Sequence, residues 1–153
     1  MWSKSMSVDH DISVLNSLIK TTLDSRKGFR DAAEQSVNTQ FQRMFEEFSE
    51  DRSRVAARMQ EQVRRLGGNP EDDSSFLAAA HRTFLDLRAA LSGSDDRTVI
   101  AEVERGEDYI KGKFEEALND DELSPDTRAV VQEAYASVRK GHDRASALKH
   151  GLA

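Results

Sequence analysis

Apolar residues recur every three or four positions along long stretches of this chain, and only two prolines, Pro70 and Pro125, interrupt it. Spacing of that kind places the apolar side chains on one face of an α-helix. Long proline-free runs let such helices continue unbroken. A helix with one apolar face must bury that face against a partner, so an all-α bundle is expected.

The first predicted helix runs from Asp9 to Gln35. Ser7 or Asp9 is its expected cap, and residues 1–8 form a flexible lead. Its stripe is Ile12, Leu15, Ile19, Leu23, Arg26, Phe29 and Ala33. Asn38 is positioned to cap a second helix with the stripe Phe41, Phe45, Phe48, Arg52, Val55, Met59, Val63 and Leu66. Gly67 and Gly68 stop it, because glycine accepts the left-handed conformation at a helix C-terminus. The short connection makes these two helices antiparallel neighbours. Asp95-Asp96 opens a third long helix with the stripe Ile100, Val103, Glu107, Ile110, Phe114 and Leu118. Ser124-Pro125 is a cap followed by proline at the first helical position. The stripe of the fourth helix is Val131, Ala134, Tyr135, Val138, His142, Ala145 and Leu148.

Between the second and third long helices lies a shorter amphipathic stretch, Ser75 to Leu91. Its length of roughly 25 Å, at 1.5 Å per residue, suits a crossover that returns along the bundle. The second and third helices would then run parallel, the ferritin-like arrangement. Residues 9–150 are read as a single domain, which fits a length of 153 residues.

Composition excludes several functions. The formal net charge is −6, which argues against a nucleic-acid partner, since that needs a basic face. There is no cysteine, hence no disulfide, thiolate metal site or thiol nucleophile. The N-terminal residues lack an apolar signal core, and no stretch approaches a membrane span. A cytoplasmic protein without a membrane partner is expected. A homodimer through an outer apolar face, using Trp2, Met6, Tyr109 or the short helix, is the expected form of self-association.

The chemistry-bearing residues are the charges that fall on or beside the apolar stripes: Arg26, Arg52, Glu104, Glu107 and His142. In the crossover topology they lie within about 12 Å of one another in height. Buried charges must be paired, so the expected role is a structural ion-pair layer that fixes helix register. The alternative is a degenerate iron-type metal site with Glu104, Glu107 and His142 as ligands. Di-iron bundles require Glu-x-x-His on two helices. That motif is absent here, and Arg139 stands three residues before His142. No catalytic residue and no cofactor are expected. Ala80-His81-Arg82 admits histidine phosphotransfer through His81 as a third reading, but the lysine and glycine usual after such a histidine are absent.

Several stretches resemble a known group: LNSLIKTTLDSRKGFRDAAE, FSEDRSRVAARMQEQVRRLGGNPEDD, AAAHRTFLDLRAALSGSD, AEVERGEDYIKGKFEEAL and VRKGHDRASAL. They span about residues 12–148 and are similar to the bacterial PA2169 family of four-helix-bundle proteins, a DUF2383-type domain in the ferritin-like clan. The most specific parts are RRLGGNPEDD and ERGED. The resemblance implies a ferritin-like bundle with a helical crossover and implies no activity. Where relatives often read Gly-Glu-x-Gly-Phe, this chain reads Ser25-Arg26-Lys27-Gly28-Phe29. If that glutamate is a ligand in relatives, Arg26 removes it. The expected function is a non-enzymatic structural or interaction protein, with a stress-associated role as the finer expectation.

Overall fold

The computed structural model describes residues 2–36, 38–72 and 96–151. Four long helices make up its regular structure: α1 (Trp2–Gln35), α2 (Thr39–Arg65), α3 (Asp96–Leu118) and α4 (Pro125–Gly151). Together they form an all-α four-helix bundle.

Helix α1 starts earlier than expected. It begins at Trp2, so it runs through the segment read as a lead, and Ser7 and Asp9 lie inside it rather than capping it. The predicted start had rested on cap-forming residue types, which a continuing helix tolerates at the cost of a few tenths of a kcal/mol each.

The other termini follow their sequence signals. The Asn38 side chain accepts from the backbone N–H of Gln40 and Phe41 at 2.9 and 3.2 Å, which caps α2. At the far end Gly67 adopts φ +83°, and Gly68 N–H reaches the Val63 carbonyl at 2.9 Å while Gly67 N–H reaches that of Arg64 at 3.0 Å. That is the Schellman arrangement, which a side chain at Gly67 would strain. Gly68 lies against Ile12, whose side chain would meet an added Cβ at 2.8 Å.

The core falls into two apolar clusters. One gathers Leu15, Ile19 and Leu23 of α1, Val55, Met59 and Val63 of α2, Ile110 and Phe114 of α3, and Val131 and Val138 of α4. The other gathers Phe29 and Ala33 of α1, Phe41, Phe45 and Phe48 of α2, Val99, Ile100 and Val103 of α3, and Ala145 of α4. Ring centroids of Phe29 lie 5.9 Å from Phe45 and 5.0 Å from Phe48. Aromatic contacts at this range add to simple burial.

Direction follows from the clusters. Passing from the phenylalanine cluster to the other, residue numbers rise along α2 and α3 and fall along α1 and α4. Helices α2 and α3 are therefore parallel, as the crossover reading requires. Asp72 and Asp96 accordingly mark opposite ends of the bundle. The predicted helix 75–91 and His81 lie outside the described residues, as do the side chains of Trp2 and Met6. Tyr109 is the one large apolar residue among the described residues that is exposed, at 45%. No described helix is long and apolar enough to cross a membrane.

Polar pairs set the register of α4. Arg58 and Arg144 of α2 and α4 pair with Glu133 and Glu47 on the opposite helix. Across the α3–α4 face, Tyr135 donates to Glu115 at 2.8 Å. Exposed pairs of this kind specify alignment more than they stabilise.

Candidate functional site: a buried arginine–glutamate layer

Between the two apolar clusters the stripes of α2 and α3 carry Arg52 and Glu107, and both side chains are almost wholly withdrawn from solvent. Arg52 Nη2 donates to both Glu107 carboxylate oxygens, at 2.6 Å for Oε1. Its Nη1 donates to Asp51 at 2.9 Å and its Nε to the Ser25 hydroxyl at 3.3 Å. The guanidinium thus uses all three nitrogens. Its Cζ lies over the Phe48 ring, 6.0 Å from the ring centre and within cation–π range.

Space for this pair comes from α4. A Cβ added at Gly141 would stand 2.7 Å from Glu107 Oε2 and 3.0 Å from Arg52 Nη2. Gly141 therefore takes part in the layer through its missing side chain. The interior line of α4 runs Val131, Ala134, Val138, Gly141, Ala145, and not through His142.

That line corrects the sequence reading of His142. Its ring is about one-fifth exposed, and Nε2 lies 2.6 Å from Asp108 at the bundle surface. A step of three from Val138 points inward there, and a step of four points to the boundary. Arg26 and Glu104 are half-buried, on α1 and α3. Of the five expected residues, Arg52 and Glu107 are the fully buried pair, joined by Ser25, Asp51 and Gly141.

The same geometry bears on the metal reading. Glu107 is committed to Arg52, and His142 to Asp108. Among the described residues, the group whose ligand atoms approach within 4.8 Å of one another is His10, Asp120 and Glu122, not Glu104, Glu107 and His142. Arg52 fills the interior position with a cation that cannot be exchanged, because guanidinium stays charged.

Burial pushes the Glu107 carboxyl above its ordinary range, and the Arg52 guanidinium pulls it back without fully offsetting that. Asp24, one position before Ser25, is also buried. Desolvation raises its carboxyl to about 6, opposed by Lys20.

Sequence reading missed another buried carboxylate, Asp11, which is 1% exposed. It accepts from the Ser124 backbone N–H at 3.1 Å and from the Ser124 hydroxyl. A residue of α1 thereby completes the N-terminus of α4. The signal was an aspartate one turn from Leu15; a start of α1 near Asp9 puts it in the first helical turn, where an acid is favoured by the helix dipole without any distant partner.

No curated protein matches the chain in sequence. A family model does match, over residues 10–120, and its description is "Domain of unknown function (DUF2383)". That stretch contains α2, α3, most of α1 and the Arg52–Glu107 pair, and on it the chain belongs to the DUF2383 family.

Proposed function

We propose that this chain is a non-enzymatic structural or interaction protein, a helical bundle whose register is set by the Arg52–Glu107 pair. One observation carries the reading. The interior polar position of the bundle holds an arginine in full contact with its glutamate, where a catalytic bundle would present open ligands. Among the described residues, the buried polar ones are Asp11, Thr22, Asp24, Ser25, Ser49, Arg52, Gln62, Glu107 and Thr127, and no nucleophile with an adjacent base accompanies the pair there.

The competing reading is a ferritin-like iron binder using Glu104, Glu107 and His142. Anaerobic titration with ferrous iron, followed by exposure to oxygen, separates the two. The expected result is no iron binding or oxidation that responds to Glu107→Gln. Iron uptake abolished by that substitution would establish the metal reading instead. Affinity purification from the producing cells, with partners identified by mass spectrometry, tests the interaction role, and a stoichiometric protein partner is expected.

A further inference from the structure

At the end of the bundle opposite the phenylalanine cluster, α1 meets the turn that joins α3 to α4. His10 Nε2 lies 2.6 Å from Asp120 Oδ2 and 3.9 Å from Glu122 Oε2. We propose that His10, Asp120 and Glu122 form a binding site for a zinc-class divalent cation. The site is independent of the function proposed above and involves none of the core-layer residues.

Three arguments carry the assignment. The first is geometric. Ligands held at 2.0–2.2 Å in a tetrahedral zinc site stand about 3.4 Å apart. The observed separations of 2.6 and 3.9 Å bracket that value, so small side-chain rotations complete the set. The second is chemical. One imidazole and two carboxylates without sulfur suit zinc and its neighbours, and the imidazole disfavours magnesium and calcium. The third is preorganisation. His10 is next to Asp11, which is buried and tied to Ser124. Asp120 Oδ1 accepts the Glu122 N–H at 2.9 Å, leaving Oδ2 facing His10. Arg128 fixes the same turn by donating to the carbonyls of Leu118 and Asp120 at 2.7 and 2.5 Å. His10 and Asp120 are also only 33% and 25% exposed, so their positions are constrained. The hydrogen-bond and backbone contacts place two ligands from segments far apart in sequence at one point, and Glu122 supplies a third, exposed carboxylate.

With three protein ligands, solvent would fill the fourth position. A cation bound there clamps α1 to the α3–α4 turn. Because the unfolded chain lacks the site, binding raises stability by mass action.

Isothermal titration of the full chain with zinc chloride tests this, with thermal melts in parallel. Saturable binding of one zinc ion is expected, with a midpoint rise of about 5–10 °C at zinc a hundredfold above Kd. Outer-sphere partners alone are worth about tenfold to a hundredfold, so His10→Ala and Asp120→Asn should each weaken binding by more than roughly tenfold. Glu122→Gln, on a side chain 81% exposed, should fold normally and weaken binding by a smaller factor. His142→Ala should leave it unchanged. The proposal is overturned by the absence of saturable binding below millimolar zinc. Full affinity in Glu122→Gln, or loss of binding in His142→Ala, overturns it equally. Should His10→Ala fail to fold, Glu122→Gln decides the matter alone.

Discussion

Replacing Arg52 by methionine tests the polar layer most directly. Methionine keeps much of the side-chain length and removes the charge. Glu107 is then left in a site where it and Arg52 are 1% and 0% exposed. Breaking one partner of a buried pair costs about 3–5 kcal/mol, because the other charge is stranded. Loss of the bonds to Ser25 and Asp51 adds less, since Asp51 keeps contact with water at 27% exposure. For a chain of this size each kcal/mol moves the midpoint by about 2–4 °C, so a fall of roughly 6–20 °C is expected. Stranded Glu107 escapes part of the penalty by taking up a proton. Its folded-state carboxyl is already raised, and removal of Arg52 raises it further. A raised carboxyl contributes stability below its unfolded value that is lost as pH rises through the folded value. The deficit of Arg52→Met should therefore shrink as pH falls and grow as pH rises. The double variant Arg52→Met, Glu107→Leu removes both charges and should recover much of the loss, since apolar replacement of buried pairs is often neutral or stabilising by about 1–4 kcal/mol. Urea denaturation of the parent, Arg52→Met, Glu107→Leu and the double variant at pH 5 and pH 8 closes the cycle. If Arg52→Met is as stable as the parent at pH 8, Glu107 is not held in a dry site and the reasoning fails.

Two helical glycines should respond with opposite sign. Gly141→Ala should destabilise by about 1–3 kcal/mol, because the new methyl meets the Arg52–Glu107 pair, whereas Gly112→Ala, with nothing within 4 Å, should stabilise by about 0.5–1 kcal/mol; thermal melts of both check this. Asp24 rises from 3.8 to about 6 on folding, so its contribution is present below 3.8 and lost as pH climbs through 6. That displacement corresponds to about 3 kcal/mol before solvent screening and about 1–2 kcal/mol after it. Asp24→Asn should gain that amount relative to the parent between pH 4 and pH 7.5, read by urea denaturation at each pH, and an unchanged difference would show that Asp24 is solvated. Asp11→Ala should cost about 1–3 kcal/mol by stranding the donors of Ser124, and amide exchange in the first turn of α4 should quicken.

The stripes of α2 and α3 were legible in the sequence because seven-residue spacing leaves little choice of face. Arg52 and Glu107 fall on those stripes, so their burial followed from periodicity. Asn38, Gly67 and Ser124-Pro125 were legible because caps and stops use few residue types. His142 was misread because steps of three and four are both helical, and the choice after Val138 depends on what fills the interior opposite. Gly141 was invisible for a related reason. Its contribution is an absence of atoms, which has meaning only once the pair across from it is placed. Asp11 and Ser25 act through contacts with other helices, and sequence periodicity carries no information on which polar residue meets which.

The bond between Asp11 and Ser124 joins residues 113 apart in the chain. An ordinary helix cap is local and can form as soon as its few residues exist. This one cannot, because its acceptor is on the first helix and its donors precede the last. The N-terminal turn of α4 is then completed only when the chain has closed on itself, a contact whose loop entropy must be met before it returns anything. During synthesis α1 waits with a charged group aimed at a partner not yet made. The contact therefore acts as a late latch: it should contribute little to the speed of folding and much to the slowness of unfolding.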